Sequence, residues 1–384
     1  MSDSNQFQVS FVEETTEGTT PNSAFQAIAV NGGSWPPGLE TVRSKQLRTD
    51  KQLADIKRVG AGSRVTLPFE LAGAALDDLA IEGALRADWP TAVNISASDI
   101  SAAAADNSYN GSAGMNTNVL VGGWVFVAGF ATAANNGWKR VVSATSTKLI
   151  VTGGTLSNES AGLAVTIKGS TIRNGTTDKF YSLQAQNLDL TNRYLRQLGS
   201  RVDSLDLNFQ VGAIIDGSLV LVGRGITEAT AKAGNGSVSA ASTNDVISAA
   251  DGFGSVWIDN AVSSIEFTKI SLSLRTPTRP RKKLGSVNPV GIGQGALALS
   301  ASLEMYLDDT SKAQLAQMLA FTKFGLGFDL TDGGGRRYHI ELPQLAYTGE
   351  PGNAPGLDSD TMLSFSCEAD PGSTFDKTIQ ITRI

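Results

Sequence analysis

Apolar and polar residues alternate with period two along much of this chain, and that period marks strands with one face buried. In 202–209, Val202, Leu205, Leu207 and Phe209 stand among Asp203, Ser204, Asp206 and Asn208. The run 265–274 has the same character, and 65–71, 219–222, 297–306 and 338–342 are further strand candidates. Helical spacing is confined to two places. One is 72–85, where Ala75, Leu76 and Leu79 fall three and four apart. The other follows Asp309: Ser311 and Gln314 match a capping box, and Leu315, Met318, Leu319 and Thr322 form a stripe that predicts a helix packed on a sheet.

The order of these elements repeats. A strand ending at Leu47-Arg48-Thr49, a polar loop, then a strand running into a helix describe the first half. A strand ending at Leu274-Arg275-Thr276, another polar loop, and again strand into helix describe the second. An aromatic-led strand follows each helix, at Phe180-Tyr181-Ser182-Leu183 and at Phe324-Gly325-Leu326-Gly327-Phe328. This order predicts an internal duplication. The first copy is interrupted by a stretch with its own strands at 119–130, 148–152 and 164–168, whose core is expected from Trp124, Phe126, Phe130 and Trp138. Insertions of this kind leave their host at exposed loops. The division is residues 1–90 and 176–228 for the first unit, 91–175 for a small all-β insertion, 229–254 for a flexible linker rich in Ala, Gly, Ser and Thr, and 255–384 for the second unit. The fold class is mainly β, two tandem sandwich or half-barrel units each with one flanking helix.

Charged residues make up 18%, below the usual quarter, while 41% are hydrophobic. The net charge of −6 speaks against a nucleic-acid clamp, which needs a basic excess. MSDSNQFQVS has neither the basic start nor the apolar stretch of a signal peptide, and no run approaches a membrane span. A cytoplasmic site of synthesis is therefore expected.

Chemistry is poorly supplied. The single histidine, His339, leaves no paired-His metal site and no argued Ser–His–Asp set. The single cysteine, Cys367, lies in an alternating run and is expected as a small packed residue. Gly291-Ile292-Gly293-Gln294-Gly295 lacks the spacing of a phosphate loop and is expected as a flexible loop, while Asp329–Gly335 fits an Asp-Gly hairpin better than a calcium loop. The acid pairs Asp77-Asp78 and Asp308-Asp309 would need a cleft to act, and the second stands where a helix dipole favours negative charge. No catalytic, cofactor-binding or metal-ligating residue is assigned, and no enzyme activity is expected.

Two basic clusters remain, one with Arg48, Lys51, Lys57 and Arg58 alongside Arg43 and Lys45, the other with Arg279, Arg281, Lys282 and Lys283. They occupy equivalent loops of the two copies. A solvated loop, nucleic-acid contact and docking on an acidic surface of another subunit are the alternatives, and the acidic balance of the chain favours docking.

The segments SKQLRTDKQLADIKRVGAGSRVTLPFELAG and ALALSASLEMYLDD, a helix, then FGLGFDLTDGGGRRYHIELPQLAYTGEPGNAPGLDSDTMLSFSCEAD resemble the tail tube proteins of siphophages, in particular those with a duplicated tube domain. The resemblance lies in the order of elements. It implies stacked rings, each of three chains with pseudo-sixfold symmetry, built with the tail terminator, tape measure and distal tail proteins as further partners. Phage DNA would pass through the lumen without specific binding, no membrane or cofactor would be involved, and the product would reside in the virion tail. The eight basic residues Arg48, Lys51, Lys57, Arg58, Arg279, Arg281, Lys282 and Lys283 would dock on the neighbouring ring, and the insertion would decorate the outside. A capsid decoration or baseplate protein, or a carbohydrate-binding module exposing Trp124, Trp138 and Trp257, are the competing readings.

Overall fold

The computed structural model describes residues 6–72, 75–349, 359–372 and 376–384, without the side chains of Ala75 and Asp77. Residues 350–358 of the last resembling segment thus lie outside it. The chain is mainly β, with helices at Ala75–Leu85 and Lys312–Leu319. In the first half Phe25–Ile28 pairs with Phe7–Glu14, followed by Phe180–Asn187, Tyr194–Gln210, Asp216–Gly223 and Ser63–Glu70, every step antiparallel. The second half runs Ala261–Val262, Phe253–Ile258, Phe324–Thr331, Arg337–Tyr347, Met362–Ala369, Ala298–Tyr306 and Phe267–Arg275, again antiparallel throughout. Place for place the pairing order is the same. The seventh place of the first half is taken by the stretch 31–38, held to Ser63–Glu70 by the Ser34–Thr66 bridge and by the Asn31 N–H donating to the Pro68 carbonyl. Each helix follows the strand at the sixth place.

The two halves meet edge to edge. A register shift between Val202 and Ser204 turns the long strand Tyr194–Gln210 out of its first sheet. Beyond that bend it pairs with Phe267–Arg275, from Ser204 opposite Arg275 to Gln210 opposite Lys269. Six strands therefore form one continuous sheet. Its inner face buries Leu67, Leu207, Phe209, Leu272, Leu303 and Phe365, each 4% exposed or less, in a core shared by both halves. Burial of such a side chain contributes roughly 1.5–3 kcal/mol, and a slip of one residue would turn the whole set outward, so the register is strongly fixed.

The helices differ in depth. Ala75–Leu85 buries Leu76, Leu79, Ala80, Ile81, Ala84 and Leu85. A Cβ at Gly83 would lie 2.5 Å from the Val202 Cγ2, so only glycine lets the helix approach the strand this closely. Lys312–Leu319 is shallow. Ser311 and Gln314 do not form the expected capping box: Ser311 has helical angles and makes no side-chain cap. Asp308 Oδ1 instead accepts the Thr310 and Ser311 N–H groups (2.8 and 2.7 Å), while Gln314 accepts a hydrogen bond from the Tyr347 hydroxyl. Leu319, expected on the packed stripe, is 77% exposed because the helix ends there and the chain turns at Phe321.

The insertion has its own core of Tyr109, Val127, Leu149, Ile167 and neighbours. Phe130 belongs to it, but Trp124 and Trp138 do not: with Trp257 they form a separate cluster, against which Phe126 packs. The strand Trp124–Ala128 has two faces, and only one turns inward to the insertion. Gln380–Arg383 fastens the module to the second half, pairing with Val165–Arg173 on one side and Arg337–Tyr347 on the other. The stretch 229–254, expected as a flexible linker, is bound along the first half. Ile226–Ala229 pairs with the long strand, Val238–Ser239 with Phe25–Ile28, and Ile247 is 1% exposed.

Candidate functional site

The loops carrying the basic clusters are β-hairpins. Leu39–Arg43 pairs with Ile56–Ala61, and Thr278–Arg281 with Gly291–Gln294. Two expectations change accordingly: 47–49 lies in the hairpin's end loop, not in a strand, and Gly291–Gln294 is a strand. Gly291, Ile292 and Gly293 are buried because the Ile292 N–H donates to Glu17 and Gln294 donates to the Val202 carbonyl at 2.7 Å, laying the hairpin base on the first half. The hairpins touch each other, through Lys282 on Glu40 and the Ala61 N–H on the Val287 carbonyl (2.9 Å).

All eight predicted docking residues are exposed on these hairpins. Arg48 pairs with Asp50, Lys57 with Asp55 and Lys282 with Glu40, all largely in solvent, where a pair contributes about 0–1 kcal/mol and exchanges readily. Among the described residues no acid pairs with Lys51, Arg58, Arg279, Arg281 or Lys283. Residues 39–61 and 278–294 hold ten Lys and Arg against three acids, a net charge of +7. Leu47 and Leu284 are fully exposed, with Leu53 and Ile56 more than half so. Charge alone led to these loops; the leucines interrupting their polar runs were the signal for an apolar contact as well.

The outer face of the six-stranded sheet is the second surface. Its register aligns Pro68, Ser218, Asp206, Ser273, Ser300 and Glu368 in one row, and Glu70, Asp216, Asn208, Ser271, Ser302 and Ser366 in the next. The middle strands form a concavity of about 440 Å³. Asp206 there accepts from Ser273 Oγ (2.6 Å) and Arg275 (2.9 Å), so its one nearby cation is already neutralised. Sequence reasoning did not assign this face, although its signal is the serine recurring at the polar positions of three strands.

Three tryptophans surround His339. Its ring lies 3.9 Å from that of Trp124, 4.8 Å from Trp257 and 5.4 Å from Trp138, and it is fully buried. Burial, with the Arg140 charge adding to it, holds its pKa well below the ordinary value and keeps the ring neutral. Trp124 and Trp257 are 1% and 5% exposed, so they offer no stacking platform to a sugar. Trp124 donates its indole N–H to Glu341, which also meets Arg140 at 3.3 Å. Cys367 is 1% exposed and burial pushes its thiol up to about 12. Glu13, Glu82 and Asp88 converge closely enough for a cation, and the Lys179 ammonium fills the place, 2.8 Å from Glu13 and in contact with Asp88.

Asp329 sits in mid-strand, 9% exposed, and burial raises its pKa from 3.8 to about 6 against the opposing Ser255 N–H. The folded chain therefore keeps a proton that the unfolded chain releases from about pH 4. Stability from this group falls as pH rises from about 4 to 6 and stays lower above. Asp329→Asn is expected to raise stability at pH 8 by about 2 kcal/mol and to flatten this slope. Urea midpoints at pH 5 and pH 8 check it, and identical midpoints for both proteins at pH 8 would refute it.

Among the described residues no helix is long and apolar enough to cross a membrane. Projecting charged hairpins and a continuous sheet with open edges define a structural protein made to pack with others. A family model described as phage tail tube protein matches residues 4–369, and the chain belongs to that family. It is a structural component of the virion tail that assembles into a tube. A search of curated proteins finds no match.

Proposed function

We propose that three copies of this chain close into one ring of a siphophage tail tube, each contributing two duplicated tube units, and that rings stack into the channel for DNA delivery. The seam between 204–210 and 269–275 carries this reading. It joins two units of equal strand order edge to edge within one chain, as neighbouring chains would have to be joined around a ring. The strand partners needed for closure are at hand: among the described residues nothing pairs with the outer edge of 31–38, nor with the edge of Arg337–Tyr347 beyond Leu345. A closed ring removes both edges.

The serine rows then line the lumen. Tight phosphate binding requires Lys and Arg that displace counterions, and this face sets Arg64, Lys269 and Arg275 against Glu70, Asp206, Asp216, Glu304 and Glu368. Uncharged hydroxyls between them let DNA slide. The hairpins lie at one end of the sheet, where they reach the next ring, and the insertion lies outside. The tail terminator, tape measure and distal tail proteins would meet the ends and interior of the finished tube.

Negative-stain electron microscopy of the purified protein at rising concentration tests this, with the ring mass measured on the same sample. Hollow rings of three chains are expected. Rings of six chains would overturn the closure scheme, and a monomer that also fails to enter tails in complementation would overturn the tube reading.

A further inference from the structure

The hairpins concentrate a charge of +7 in a chain of net −6, so all other residues together carry −13. Where the negative charge gathers follows from the strand directions. The second hairpin precedes Ala298–Tyr306, and the segment leading to the second helix leaves its other end. Nine residues at about 3.3 Å each put roughly 30 Å between the two ends. At the far end stand Asp245, Asp251, Glu266, Asp308, Asp309 and Asp360, all exposed. Asp245 and Asp251 belong there because Ile247 bonds Leu71 and Ile215 through the backbone and Ala249 bonds Ala213.

The same end is apolar between its charges. Val211 is 68% exposed, Ile214 44%, Val246 41% and Leu307 42%. Exposed aliphatic side chains set among acids at one end match Leu47, Leu53 and Leu284 set among bases at the other.

We infer that this acidic, apolar rim is the acceptor for the hairpins of a second copy of this chain, in the next ring along the tube. The inference rests on the tube reading and adds to it the receiving surface. The contact is head-to-tail: each copy offers hairpins at one end and the rim at the other, so stacking continues without closing. Opposite charge guides the approach and rejects stacking of like ends, and the apolar side chains are buried once the ends meet.

Charge reversal at each end separates the possibilities. Asp309 has a 95% exposed side chain and Asp360 is exposed, so Asp309→Lys with Asp360→Lys leaves the fold intact. This variant is expected to form rings but tubes at least tenfold shorter than wild type, as is Lys282→Glu with Lys283→Glu. All four substitutions in one chain should restore long tubes, and mixing preformed rings of the two defective variants should give longer stacks in which the two kinds of ring alternate. Val211→Ser with Leu307→Ser, which leaves the charges in place, should also shorten tubes. Wild-type tube lengths from the rim reversal, or no recovery in the fourfold variant, would overturn the acceptor assignment and mean that another protein or solvent covers the rim. Wild-type protein that never stacks would count against the tube reading itself.

Discussion

Replacing Arg279, Arg281, Lys282 and Lys283 together by serine is expected to leave a folded subunit that makes rings and no long tubes. The fold should hold because these side chains contribute little to it. Their one ion pair among the described residues, Lys282 with Glu40, is half exposed on both sides and contributes about 0–1 kcal/mol. The hairpin base is held elsewhere, by Thr278 on Asp203 (2.6 Å), Gln294 on the Val202 carbonyl and the Ile292 N–H on Glu17. Assembly should fail because four of the ten hairpin cations disappear together, and attraction between ends summed over a ring of contacts is correspondingly weakened. Exposed charges are screened within about 8–10 Å at physiological salt, so wild-type tubes should also shorten as salt rises. Tube length by electron microscopy and thermal melting of the same sample decide the matter. Normal tubes would remove the docking role, and a large fall in melting temperature would show that the hairpin supports the fold.

Trp124→Ala is expected to be the most damaging single substitution, lowering stability by about 3–5 kcal/mol. The indole fills the space between Trp257, His339 and the Gly153 backbone, and its removal leaves a cavity in the joint between insertion and second half. Glu341 would lose its indole donor while staying buried, which adds to the cost. The insertion should remain folded, since its Tyr109, Val127 and Leu149 core is separate. Denaturant unfolding followed by far-ultraviolet circular dichroism checks the magnitude. A loss below about 1 kcal/mol would mean the cluster is peripheral to stability.

How much of this could be read from residue order follows a simple rule. Alternation in 202–209 and 265–274 gives strands and their buried face, because period two is a local property. It does not say which strands are neighbours, so the seam between those two runs was invisible. The two-faced strand Trp124–Ala128 shows the limit most clearly: alternation predicts burial but not which of two cores receives each tryptophan. The Ser311–Gln314 spacing was a sound capping signal that lost to Asp308, whose carboxylate takes the Ser311 N–H that the Gln314 side chain would have accepted. The basic clusters were legible as exposed segments because charge and proline have few buried solutions. Their hairpin form was not, since it depends on contacts with the first half. The acceptor rim was illegible too, being assembled from loops far apart in sequence.

The strand Gln380–Arg383 has a consequence for the making of the protein. Thr382 meets Thr171 across 211 positions of chain, and the strand completes both the insertion's sheet and the second half. Contacts of such long range form slowly, since a large loop must close before any reward. On a growing chain, Val165–Arg173 and Arg337–Tyr347 each keep a raw edge until this strand arrives. An edge of that kind invites pairing with whatever strand is near. The nascent subunit is thus most prone to faulty pairing just before its synthesis reaches residue 380, and four residues there act as the latch that ends the hazard.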